Sequence, residues 1–147
     1  MYKLQSTNFH IAEVNTSIEN NEYYIFKEFI KPYMINKKND VSYNLTISLE
    51  KSKNIISKDS SGNPLAYVMM VKAKVFINSN ENLLISKSYK KKFKYSRSSS
   101  IFDLNLYEKK LEENLIKKIV DEIINSIISL NKNGSTSKKN KINNIKI

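Results

Sequence analysis

The chain of 147 residues has no cysteine, no tryptophan, one histidine (His10), two glycines and two prolines. Without cysteine there is no disulfide, thiolate nucleophile or Cys/His zinc site, and a Ser-His-Asp triad is open only if His10 supplies its base. No second histidine exists to complete a metal site, so His10 is expected to be incidental. No catalytic residue, metal or cofactor is expected, and the protein is read as a non-enzyme. The opening "MYKLQSTNFHIAEVNTSIEN" lacks the apolar core of a signal peptide, and no run approaches the roughly 20 apolar residues of a membrane span.

What the chain has in excess is positive charge. Lys plus Arg number 25 against 14 for Asp plus Glu, a net charge of +11, which favours phosphate-bearing or otherwise anionic partners. Residues 131–147 hold Lys132, Lys138, Lys139, Lys141 and Lys146 and no acid, so this tail carries +5 and residues 1–130 the remaining +6. The length suits one domain with a single core. Residues 1–130 are read as that domain, and residues 131–147, with like charges, turn residues and no period, as a disordered basic tail.

Hydrophobic periodicity orders the domain. "NFHIAEVN" (8–15) is a strand candidate with a fault: Phe9 and Ile11 share a face, yet Glu13 falls on it too. From Ile18 the period changes, and Tyr23, Phe26, Phe29, Ile30 and Tyr33 recur at helical steps, with Asn20 or Asn21 as cap and Pro32 as the stop. This short helix is placed at about 20–31. "VSYNLTISLE" alternates, with Val41, Tyr43, Leu45, Ile47 and Leu49 on one face. After the turn cluster "SKDSSGNP" the odd positions of "LAYVMMVKAKVFI" (65–77) are again all apolar, and beyond "NSNEN" Ile85, Tyr89, Phe93 and Tyr95 continue on odd numbers. Pairing Ile77 with Ile85 across that turn sets Ala73 opposite Tyr89 and Met69 opposite Phe93. Ser100 and Asp103 fit a capping box opening a helix from 101 to 130, in which Tyr107, Leu111, Leu115, Ile119, Ile123 and Ile127 step by four, widened by Ile116, Val120, Ile124 and Ile128. The expected fold class is α+β: a single antiparallel or mixed sheet of about four strands packed on a short N-terminal and a long C-terminal helix.

This order decides how to read the basic run "KSYKKKFKYSR". It lies on a period of two, so its charges do not form one block. The even face of the hairpin carries Lys72, Lys74, Lys90, Lys92 and Lys94, with Arg97 just beyond. Lys87 and Lys91 fall on the apolar face, where long stems near an edge reach water. Such a face is most often simply solvated, and the competing reading is contact with an anionic ligand, for which lysine is a compact, flexible charge. Nucleic acid is not expected, because Tyr89, Phe93 and Tyr95 fall on the opposite face and cannot stack on bases beside those lysines.

The closing segment "SKSYKKKFKYSRSSSIFDLNLYEKKLEENLIKKIVDEII" resembles the lipopolysaccharide-assembly lipoprotein family (LptE), in its alphaproteobacterial form. Those proteins close with a strand through a serine/tyrosine-rich stretch, a small turn, and a helix of the form acid-x-x-(L/A)-x-x-x-(L/A)-x-x-x-I. The matching positions here are Ser88, Tyr89, Tyr95, Ser96, Ser98, Glu112, Leu115, Ile119 and Ile123, and "YNLTISL" matches an earlier strand. The resemblance, over roughly residues 5–130, implies a small α+β domain at the periplasmic face of a Gram-negative outer membrane. It further implies a plug inside a large LptD-like β-barrel partner and help in delivering lipopolysaccharide to the outer leaflet. On that reading Lys72, Lys74, Lys90, Lys92, Lys94 and Arg97 are the candidate lipopolysaccharide contacts. The family's lipidated cysteine and signal peptide are not found in this sequence. The alternative is a free-standing basic module for an anionic ligand, a phospholipid surface or RNA.

Overall fold

The computed structural model describes residues 9–35, 41–80 and 82–146, with side chains as far as Asn131. Four strands form one sheet in the order β1-β2-β3-β4: β1 (Phe9–Asn15), β2 (Val41–Lys58), β3 (Pro64–Ser79) and β4 (Asn82–Ser96). β1 runs parallel to β2 and the other two pairings are antiparallel, so the sheet is mixed and the class is α+β. A parallel neighbour needs a crossover. Helix α1 (Asn21–Ile30) and a 3₁₀ turn (Lys31–Met34) supply it.

Asn20 caps α1, its side chain accepting from the Tyr23 N–H at 2.9 Å and donating to the Leu49 carbonyl at 2.8 Å, so one residue both starts the helix and ties it to β2. Pro32 falls in the 3₁₀ turn where α1 ends. The fault at Glu13 is resolved by a bulge. Ile11 pairs with Tyr43 but Glu13 with Asn44, so Ala12 is an extra residue that returns Val14 to the core face opposite Leu45 and turns Glu13 outward.

The β3–β4 register places Ile77 with Ile85, Ala73 with Tyr89 and Met69 with Phe93. Asn80, at the turn between them, has φ 50°, a left-handed conformation that asparagine tolerates well. At the β2–β3 turn Gly62 has φ 86°, and the Asp59 carboxylate accepts from the N–H groups of Ser61 and Asn63. The Asn63 backbone bond is the main cause holding the Asp59 pKa below its ordinary value.

Helix α2 (Ile101–Lys146) opens at Ser100, whose hydroxyl accepts from the Asp103 N–H at 3.2 Å. It covers the odd face of the sheet beside α1. Leu111, Leu115, Ile116, Ile119, Val120, Ile123, Ile124 and Ile127 are buried against Tyr43, Leu45, Ile47, Met69, Val71, Val75 and Ile77. Each such side chain contributes about 1.5–3 kcal/mol by leaving water. Among the described residues no helix is long and apolar enough to cross a membrane.

Several expectations need correction. Phe93 keeps the expected register but is 47% exposed, and Val41, Leu65 and Tyr107 are exposed as well. Periodicity reports which face a residue takes, not whether a helix lies over it, and the long strands run past their cover. The backbone of α2 is helical past Leu130 as far as Lys146, across most of the basic segment 131–147. Once a long helix exists, each added residue gains a backbone bond without a new nucleation cost.

Candidate functional site

Among the described residues no helix covers the even face of the sheet, and there the structure gathers five of the six candidate residues. Lys72 stands directly opposite Lys90, Lys74 opposite Ser88, Lys92 opposite Met70 and Lys94 opposite Val68. All five lysines are exposed. Lys72, Lys74 and Lys90 line a shallow depression of about 540 Å³ together with Ser48, Ser88 and Glu50, whereas Lys92 and Lys94 lie outside it. Glu50, opposite Lys72 on β2, puts an acid in this depression that the pattern of lysines alone did not single out.

Arg97 is placed differently. Its backbone N–H bonds the Leu65 carbonyl at 2.9 Å and its guanidinium the Pro64 carbonyl at 3.3 Å. Its charge also helps to lower the Asp59 pKa, so Arg97 fastens the end of β4 to the β2–β3 turn.

The lysines divide by face. On the covered side they meet acids of α2: Lys51 with Glu112 at 3.4 Å, Lys53 with Glu108 at 3.1 Å, and Lys91 with Glu122. Lys87 lies over the Tyr89 ring, 5.2 Å from its centroid. Among the described residues none of the five even-face lysines forms an ion pair. Like charges directly opposite one another on a sheet are unfavourable, so an anion in the depression would relieve Lys72 and Lys90 together.

The covered side holds the perturbed acid. Glu112 is 4% exposed, with Glu22 of α1 and Lys51 of β2 as charged neighbours. Burial first, and then Glu22, push its pKa up to about 7 against the pull of the Lys51 ammonium. Nearby, Tyr95 donates to Glu108 at 2.5 Å, and burial together with that bond raises the tyrosine pKa. These groups lie between helices and sheet and tie the layers together. No group of three or more His, Cys, Asp or Glu able to hold a metal occurs among the described residues. His10 is buried, with Nε2 3.2 Å from the Ser42 hydroxyl. One aromatic does stand on the lysine face: Phe76, half-buried, with Lys74 Nζ 5.9 Å from its ring centroid.

No protein-family profile and no curated protein matches the sequence. Solved structures do. Rare lipoprotein B of Shewanella oneidensis superposes with a TM-score of 0.65 at 11% identity, over 86% of this chain and 99% of that one. The fold is that of the lipoprotein B proteins. A lipoprotein B of Nitrosomonas europaea gives 0.63 at 11% identity, covering 84% and 85% of the two chains. A minor lipoprotein of Acinetobacter baumannii gives 0.61 at 12%, covering 82% and 92%. At such identities the likeness is one of backbone architecture.

Proposed function

We propose that the protein is a non-enzymatic assembly factor of the bacterial envelope. In this reading it sits at the periplasmic face of the outer membrane, seated in an LptD-like β-barrel, and assists delivery of lipopolysaccharide to the outer leaflet. The observation that carries the ligand side is the division of lysines by face. Lys51, Lys53 and Lys91 on the covered side are paired with acids of α2, while among the described residues Lys72, Lys74, Lys90, Lys92 and Lys94 stand without ion pairs on an open sheet. Lipopolysaccharide bears phosphates on lipid A and its inner core, and a plane of flexible ammonium groups suits them without bidentate geometry. Arg97 acts on this account by holding the β2–β3 turn beside that plane. The lipoprotein B fold supports the envelope setting and agrees with the sequence resemblance to lipopolysaccharide-assembly lipoproteins.

The test compares wild type with the Lys72→Glu/Lys90→Glu/Lys92→Glu variant for binding to lipopolysaccharide at two salt concentrations. The variant is expected to fold normally by circular dichroism and to bind about tenfold more weakly at low salt, the difference shrinking as salt screens exposed charges. Equal binding by the two proteins would contradict the ligand assignment. The same open lysines favour a phospholipid surface as the second reading. Binding to anionic vesicles in preference to lipopolysaccharide, with a steep salt dependence, would select it.

A further inference from the structure

The two sheet edges differ. β1 has seven residues and is backed by the 3₁₀ turn, whereas β4 has fifteen and is the other edge of the sheet. In an antiparallel pair, residues alternate between those bonding inward to the partner strand and those whose main-chain groups point away from it. The Arg97 N–H bonds the Leu65 carbonyl, and the same register runs unbroken from Ala66↔Ser96 to Ile77↔Ile85. Odd residues of β4 therefore bond β3. Ser88, Lys90, Lys92 and Lys94 direct their N–H and C=O groups out of the sheet edge.

Beside this edge lies a groove of about 560 Å³ between β4 and the distal half of α2, lined by Ile85, Lys87, Asn125, Ser126, Ser129 and Leu130, with Glu122, the ion-pair partner of Lys91, at its wall. A strand added to β4 would turn alternate side chains into that groove and the others toward the open lysine face. We propose that β4 is a docking edge for an extended segment of a partner protein that alternates apolar and acidic residues. Its apolar side chains would enter the groove beside Ile85 and Leu130, and its carboxylates would meet Lys90, Lys92 and Lys94. Main-chain bonds supply affinity in such strand addition and alternate side chains the selectivity. A second copy of the same edge is disfavoured, since it would set lysine against lysine. The inference shares Lys90, Lys92 and Lys94 with the lipopolysaccharide reading but rests on the main-chain edge, and it can be tested without lipid.

The probe is an acetylated, amidated peptide of alternating glutamate and valine, compared with its lysine–valine counterpart and with a form N-methylated along one edge. Binding is read by fluorescence polarisation and by residue-resolved amide exchange. The glutamate peptide is expected to bind and to slow exchange at Ser88, Lys90, Lys92 and Lys94 selectively, because the odd amides already bond β3. The N-methylated form and the Lys92→Pro variant, which loses one outward donor without losing a β3 bond, should each bind about tenfold more weakly. Absence of binding, or equal binding by the N-methylated form, would overturn strand addition. So would protection of odd and even amides alike.

Discussion

Glu112 is a residue whose ionisation is tied to folding at ordinary pH. Its pKa is raised to about 7 in the folded protein by burial and by Glu22. Between the ordinary carboxyl value and pH 7 the native state therefore holds a proton that the unfolded chain has released. The sign follows directly: this group costs stability as pH rises through that window, and its penalty is complete above it. Lys51, 3.4 Å away, offsets part of the cost. Glu112→Gln should remove the effect, flattening the melting temperature between pH 5 and 8 and gaining on the order of 1 kcal/mol at pH 8. A variant that melts lower than wild type at pH 8 would show that the ion pair with Lys51 outweighs burial. At this scale little could be read in advance, because Glu22 and Glu112 meet only when α1 and α2 are packed.

At the scale of elements, the helix stripe and the bulge make opposite predictions. Ile119 is fully buried in the middle of α2. Ile119→Asp should abolish folding, since an unpaired charge there costs several kcal/mol of the roughly 5–15 available to a domain. Loss of less than about 1 kcal/mol in a denaturant titration would remove the stripe from the core. Deleting Ala12, the exposed extra residue of β1, should instead be tolerated at a cost of about 1 kcal/mol or less, because the regular ladder it leaves keeps Val14 inward and Glu13 outward. Urea unfolding checks this, and failure to fold would mean that the bulge itself is required. Elements with a clean period were legible from the residues alone: the β3–β4 register and the five-lysine face follow from parity, and the α2 stripe from steps of three and four. The bulge was visible only as a misplaced glutamate. The exposure of Phe93 and the engagement of Arg97 were not visible, since both depend on where a second element ends in space.

For the whole molecule, the division of charge between two sheet faces links fold to function. One face is closed by α1 and α2, and there Lys51, Lys53 and Lys91 are paired with acids of α2; on the other, among the described residues, five lysines stand without ion pairs around a single acid, Glu50. A plug inside a barrel would use the first layer for rigidity and present the second to ligand, with charge setting encounter and register more than total affinity. Co-purification of the full chain from its source organism, after mild detergent extraction of the outer membrane, tests this most directly. The account predicts recovery of a stoichiometric large β-barrel partner, retained by the Lys72→Glu/Lys90→Glu/Lys92→Glu variant. Purification of the wild-type chain without any outer-membrane barrel would contradict it.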